Sequence, residues 1–273
     1  MIGIRKAAFK SWPLALALAA MLGACGEEGR RDWSRTTPAA QPARDPEAAY
    51  LAPPKVVTAA MQGGGVALSG SASPGASVRL GAPTGEAISV EADASGLWRA
   101  VLSGAVEPRL FGLSMTREGR TVQAEGYVLV TPEGQVALLK AGGGSEPLAG
   151  PSDSLRILAI DYDQDGGAVI SGVGRPGAGF GVRIDRVTQA EAKVDAQGRF
   201  SLSLTRPLTH GEHAVQVAGE GGEDLVRIVV SPSGPLASPP LHAERLEGAW
   251  RADWMTPGGG LQTTVLYSPG EQQ

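Results

Sequence analysis

The sequence predicts an all-β protein made of two tandem β-sandwich modules, and three observations support this fold class. A long stretch occurs twice, because residues 66–80 and 93–98 return as residues 169–184 and 195–200. Apolar residues alternate with polar ones in short runs throughout both copies. The chain also contains 39 glycines and 20 prolines, which mark turns between strands rather than helices. An internal repeat of this size indicates one structural unit used twice.

The apolar positions of the two copies predict which residues form each core. Alternation with a period of two places every second side chain on one face of a strand. Short alternating runs between Gly, Pro and Asp turns are typical of a sandwich of about seven strands. The predicted core positions are Leu68, Val78, Leu80, Val90, Trp98, Leu102, Leu113 and Met115 in the first copy, and Ile170, Val182, Ile184, Val194, Phe200, Leu202, Val215 and Val217 in the second.

The first 24 residues predict a signal peptide. Three cations precede an apolar run over residues 12–24, which is too short to span a bilayer as a helix. The run ends in Leu22, Gly23, Ala24 and Cys25, which resembles the lipobox of bacterial lipoproteins. The resemblance implies cleavage before Cys25, a diacylglycerol on that cysteine, and outer-membrane sorting because residue 26 is glycine. The alternative is an ordinary signal peptide with a chance cysteine.

Residues 25–54 predict a disordered tether between the lipid anchor and the first module. This segment has five prolines and few large apolar residues, which favours an extended spacer. The predicted organisation is therefore a signal peptide at 1–24, a tether at 25–54, a first module at 55–139 and a linker at 140–153. A second module follows at 154–233, and a linker with a C-terminal β-hairpin occupies 234–273.

The repeated motif resembles that of bacterial immunoglobulin-like domains. It consists of Ser-Gly, a Pro-Gly-Ala turn, a Val-Arg-Leu or Val-Arg-Ile strand, and Asp-Ala-x-Gly-x followed by Trp98 or Phe200. The aspartate and glycine are expected to form a tight turn, and the aromatic ring is expected to enter the core. The resemblance implies immunoglobulin-like β-sandwiches in a cell-envelope protein, and it assigns no specific function.

Two short motifs are candidate metal sites. Asp161, Asp163 and Asp165 precede Gly166 in the pattern of a calcium loop, but glycine stands where the loop needs its bidentate glutamate. An acidic turn between the first two strands of the second module is the favoured interpretation, with Ca²⁺ as the alternative. His210 and His213 lack nearby further ligands, so a histidine at a strand edge is favoured over a metal site.

The C-terminal segment predicts a hairpin with an aromatic face. Trp250 and Trp254 lie four positions apart on one predicted strand, and Tyr267 ends the next. Because a lone hairpin is unstable in water, it must dock on something. Packing against its own modules is the favoured interpretation, and a face that binds glycan or protein is the alternative.

Composition and motifs together favour a non-catalytic protein. The net charge is −4, and loss of residues 1–24 would leave −7, which disfavours nucleic-acid binding. Catalytic nucleophile motifs and a phosphate-binding loop are absent from the sequence, and no cofactor is predicted beyond the lipid. The expected function is a structural or interaction module, anchored in the outer membrane and facing the periplasm, that binds an envelope protein. The alternative is a lipoprotein that binds peptidoglycan or another glycan through the aromatic hairpin.

Overall fold

The computed structural model describes residues 50–237 and 240–268. The regular secondary structure in these ranges consists of β-strands alone. Within them no helix is long and apolar enough to cross a membrane. The predicted signal peptide, lipobox and Cys25, and the tether up to residue 49, lie outside the described residues. The strands are β1 Lys55–Gln62, β2 Gly65–Ser71, β3 Ser77–Gly81, β4 Ala87–Glu91, β5 Leu97–Leu102, β6 Arg109–Arg117, β7 Arg120–Val130, β8 Val136–Lys140, β9 Gly144–Pro147, β10 Arg156–Asp163, β11 Ala168–Val173, β12 Gly179–Ile184, β13 Val187–Lys193, β14 Arg199–Ser203, β15 Gly211–Gly219, β16 Gly222–Val230, β17 Leu241–Leu246, β18 Ala249–Met255 and β19 Leu261–Tyr267.

The predicted fold class is confirmed, because both modules are antiparallel β-sandwiches of seven strands with the same strand order. In the first module β1-β2-β5 forms one sheet, and β4-β3-β6-β7 belongs to the other. In the second module β10, β11 and β14 take the places of β1, β2 and β5. The sheet β13-β12-β15-β16 repeats the order of β4-β3-β6-β7. The repeat in the sequence is therefore a repeat of topology.

Two additions enlarge one sheet of each module to six strands. The hairpin β8-β9 continues the first module's sheet beyond β7, although β9 lies in the segment predicted as a linker. The predicted C-terminal hairpin is present as β18-β19, and β17 adds a third strand to it. β19 pairs with β10, so the C-terminal strands extend the second module's sheet.

The four sheets enclose three apolar layers. One lies within the first module and one within the second, and a third joins the two six-stranded sheets. The third layer receives side chains from β6, β7 and β8 on one side and from β10, β18 and β19 on the other: Leu110, Leu129, Ala137, Leu139, Ala159, Ala252, Trp254 and Leu266. The described residues from Tyr50 onward accordingly form one compact unit.

The repeated motif has the same geometry in both modules. The Asp195 side chain accepts the main-chain N–H of Gln197 at 2.9 Å and of Arg199 at 2.8 Å. Asp93 does the same for Ser95 and Leu97. These bonds tighten the turn that sends the following aromatic residue into the core.

Candidate functional site

The three C-terminal aromatic residues lie in the interior. Trp254 is fully buried, and its ring meets that of Tyr127 edge to face at 5.9 Å. Its indole N–H donates to Thr264 Oγ1 at 3.2 Å. Trp250 is 9% exposed and donates to Glu133 at 2.7 Å, while the Tyr267 hydroxyl donates to the Arg227 carbonyl at 3.2 Å. This burial corrects the alternative expectation of an exposed aromatic face, because the rings pack on the chain's own modules.

Asp161 lies at the centre of the contact between the modules rather than in a cation loop. Its carboxylate is buried and accepts hydrogen bonds from the Ser145 N–H and hydroxyl, both at 2.7 Å, and from the Thr264 hydroxyl at 2.5 Å. Burial raises the pKa of Asp161, and the three donors oppose that rise. The carboxylate thus ties together β9, β10 and β19.

The other two acids of the predicted calcium motif do not join Asp161. Asp163 Oδ1 accepts the main-chain N–H groups of Asp165 and Gly167, each at 2.9 Å. These bonds close a turn between β10 and β11. In the described part of the chain, no three His, Cys, Asp or Glu side chains are grouped so that they could hold a metal ion.

Polar side chains also form hydrogen bonds between the two modules. Gln135 donates from Nε2 to the Tyr267 carbonyl at 2.7 Å, and Gln262 accepts the Gly142 N–H at 3.1 Å. Glu146 accepts from Lys140 at 3.1 Å and from Arg199 of the second module. In these three contacts between Gln135 and Tyr267, Gly142 and Gln262, and Glu146 and Arg199, and in the bond of Asp161 with Thr264, the two partners are 53 to 132 positions apart in the sequence. Local sequence patterns carry no signal for such pairs.

His213 holds the β12-β13 turn and is not paired with His210. Its Nδ1 contacts Asp185 Oδ2 at 2.7 Å, and its Nε2 contacts the Thr209 carbonyl at 2.8 Å. Both partners are acceptors, so the doubly protonated ring satisfies both contacts. These hydrogen bonds raise the pKa of His213 against the opposing effect of burial. Asp185 and Arg186 have φ of 50° and 69°, the conformation of a tight hairpin turn.

A cleft of about 540 Å³ opens where the first module meets the β13-β14 region of the second. Tyr50 and Tyr127 line it together with the ion pairs that Glu146 forms with Lys140 and Arg199. Tyr50 is 70% exposed, whereas Tyr127 contacts Trp254. Lys55 and Glu125 also line the cleft, so its walls carry three cations and two carboxylates.

A larger groove, of about 990 Å³, runs beside β16 and is called the β16 groove below. One wall is β16, which is the last strand of its sheet. The other wall contains Glu244, Leu246 and Gly248 from β17 and the turn after it. Ala249 and Tyr267 also line the groove. The sequence does not predict this groove, because an alternating pattern is the same in an edge strand and in a central one.

Comparisons with known proteins give no family assignment. No family model matches the chain, and no curated protein matches it. Among solved structures, a central fibronectin-III array of RIM-binding protein is 15% identical, with 81% of this chain and 94% of that chain covered and a TM-score of 0.24. The BSP domain of a biofilm-associated protein is 12% identical, with 68% and 30% covered and a TM-score of 0.23.

A third solved structure, at 11% identity, concerns the host cell surface retention of a 1.5-MDa bacterial ice-binding adhesin. The match covers 75% of this chain and 80% of that chain, with a TM-score of 0.20. Identities and TM-scores of this size carry no information on what the present chain binds.

Proposed function

We propose that the chain is a lipid-anchored, non-catalytic protein of the cell envelope whose two modules act as one rigid interaction unit. One observation carries the proposal: the buried polar and aromatic groups that could have formed a site are used in packing and hydrogen bonding within the chain instead. Asp161, Trp254 and Tyr267 are each engaged by partners within the chain. A protein built in this way offers surfaces rather than a reaction centre.

Rigidity supports the proposed role. Domains in tandem move relative to one another unless their interface is large and apolar. Here an apolar layer and the Asp161 hydrogen bonds join the modules. A rigid pair on a Pro-rich tether keeps its outer sheets and edges at a fixed geometry while the tether spans the distance from the membrane.

The proposed address is the periplasmic side of the outer membrane, and it rests on Leu22 to Gly26 of the sequence. Acyl chains on Cys25 would supply stable membrane anchoring. The glycan-binding alternative loses the surface assigned to it, since Trp250, Trp254 and Tyr267 are buried.

The anchor is tested by metabolic labelling with an alkyne-tagged palmitate and separation of membranes. The wild-type protein should be labelled and retained in the outer membrane. Cys25→Ala should lose the label and fail to be processed, whereas Ser34→Ala, a matched change in the predicted tether, should behave like the wild type. Gly26→Asp should move the labelled protein to the inner membrane. An unlabelled wild-type protein, or a labelled Cys25→Ala variant, would contradict the proposal.

A further inference from the structure

We infer that the β16 groove binds one extended strand of a partner protein, which pairs with β16 and becomes the fifth strand of the sheet β13-β12-β15-β16. The inference deepens the proposed role as an interaction unit and rests on it. The direction of the main-chain groups of β16 supports this pairing.

The pairing of β15 with β16 fixes which main-chain groups face the groove. In an antiparallel pair, successive residues direct their N–H and C=O alternately toward the partner strand and away from it. The Ala214 carbonyl accepts from Asp185 on the β12 side of β15, so Ala214 faces away from β16. Its cross-strand partner Arg227 therefore faces away from β15. The same holds for Leu225 and Val229, two positions to either side.

Two side-chain contacts confirm this direction. The Arg227 carbonyl accepts from the Tyr267 hydroxyl of β19 at 3.2 Å, and the Leu225 N–H donates to Asp224 Oδ1 at 3.1 Å. Among the described residues, β16 has no strand neighbour on this side. The N–H groups of Arg227 and Val229 and the carbonyls of Leu225 and Val229 thus face the groove with no partner strand. A row of such groups is a template for an added strand.

The side chains beside this edge favour pairing rather than oppose it. Proteins protect edge strands with lysine, proline or bulges. β16 instead runs in regular register with β15 over nine residue pairs and contains no proline or lysine. Leu225 is 51% exposed and Val229 is 64% exposed, both on the outer face of the sheet. An added strand would cover part of this apolar surface.

The shape of the groove selects a single strand over a second copy of the chain. Tyr267 of β19 reaches the edge of β16, so β18 and β17 continue beyond that edge. At a strand spacing of about 4.8 Å, this overhang extends roughly 10 Å. A second copy joined edge to edge through its own β16 would bring its β17 and β18 into the same space. One extended segment needs only one strand spacing and meets no such obstruction.

Cross-strand neighbours define the chemistry of the partner. Residues opposite Leu225 and Val229 should be β-branched and apolar, and the residue opposite Arg227 should be acidic. The Arg227 side chain is 75% exposed, and its ion pair with Glu212 is long at 3.8 Å. The intervening residues of the partner face Ala249 and Val265 and should be small. The predicted partner strand thus has the alternating pattern apolar, small, acidic, small, apolar.

The test uses the full-length protein in detergent and a fluorescent, end-capped peptide of sequence Thr-Val-Ala-Glu-Ala-Val-Thr. Fluorescence anisotropy should show saturable binding at or below millimolar concentration. Hydrogen exchange should slow at the amides of Arg227 and Val229. The same peptide with lysine in place of glutamate should bind several-fold more weakly, because the lysine would place a second positive charge opposite Arg227.

Two variants at one position separate main-chain pairing from side-chain contact. Val229→Pro removes an N–H that the ladder with β15 does not use, and edge strands tolerate proline in that orientation. It should weaken binding by about tenfold or more. Val229→Thr keeps both the N–H and the β-branch, and it should bind nearly as well as the wild type. If Val229→Pro fails to fold, hydrogen exchange of the wild type with and without peptide still shows whether the peptide protects the amides of Arg227 and Val229.

Absence of binding at millimolar peptide would overturn the inference. Slowed exchange at another edge strand, or equal binding by Val229→Pro, would overturn it as well. None of these results depends on Cys25 or on membrane location, so they leave the proposed lipid anchoring standing. Conversely, a protein that proves unlipidated can still bind the peptide.

Discussion

The carboxylate of Asp161 and the hydroxyl of Thr264 form a buried hydrogen bond of 2.5 Å between residues that are 103 positions apart. Asp161 lies on the first strand of the second module, and Thr264 lies on the last strand of the chain. The same carboxylate accepts two further bonds from Ser145, which belongs to the β8-β9 addition of the first module. One ionisable group therefore links the first module, the second module and the C-terminal strands.

Thr264→Val is expected to destabilise the protein by about 1–3 kcal/mol, because it leaves the buried Asp161 carboxylate without its hydroxyl donor and the Trp254 indole N–H without its acceptor. The change conserves shape and removes only the polar group. Chemical denaturation at neutral pH measures the effect. Thr121→Val is the matched control, because that hydroxyl forms an exposed bond with Thr116 and its loss should cost less than about 0.5 kcal/mol. Equal effects of the two changes would contradict the expectation that the two buried hydrogen bonds of Thr264 stabilise the fold more than an exposed one does.

Trp254→Ala is expected to cost about 3–5 kcal/mol and to uncouple the two modules, because the ring fills the apolar layer between them. In the wild type, calorimetry should record one cooperative transition for residues 50–268. The variant should give two transitions, since each module keeps its own apolar core. Leu97→Ala, at a side chain that is 59% exposed, should leave the single transition in place. Two transitions in the wild type would mean that the modules unfold independently.

Residue patterns reveal the modules but not how the modules meet. Alternation identifies which residues share a face, and it correctly predicts cores around Trp98 and Phe200. It does not tell which outer face is covered, so the burial of Trp254 against Tyr127 follows only from the assembled sheets. The spacing of the acids around Asp161 resembles that of a cation loop. The hydrogen-bond partners of Asp161 are Ser145 and Thr264, which are 16 and 103 residues away, so the local sequence does not reveal its role.

Gly172→Ala is expected to destabilise the second module by about 1–3 kcal/mol through overpacking. A Cβ at this position would lie 2.0 Å from the Arg156 carbonyl oxygen and 2.6 Å from the Phe200 ring. The equivalent Gly70 approaches Lys55 and Trp98 in the same way, which explains the Ser-Gly pair of the repeated motif. Gly179→Ala is the control, since the nearest atom to its added methyl would be Glu220 at 4.0 Å. Thermal unfolding should show a lower melting temperature for Gly172→Ala and a nearly unchanged one for Gly179→Ala.

The ion pair of His213 with Asp185 should make stability depend on pH in a defined direction. Hydrogen bonds to Asp185 and Thr209 raise the pKa of His213 above 6.5 in the folded state. The folded protein therefore holds this proton more tightly than the unfolded chain. The resulting stabilisation is complete below pH 6.5 and disappears as the pH rises through the folded value. The pKa of Asp185 is lowered by the Ala214 N–H and by His213, so its contribution is lost as the pH falls below 3.8.

His213→Gln tests this dependence by thermal unfolding from about pH 5 to about pH 9. The difference in melting temperature between wild type and variant should be largest near pH 5 and should shrink toward pH 9. His242→Gln, at an exposed histidine on β17, should follow the wild-type curve throughout. A difference that stays constant with pH would assign the effect of His213 to packing of the ring. A difference that grows toward pH 9 would mean that the neutral ring stabilises the β12-β13 turn.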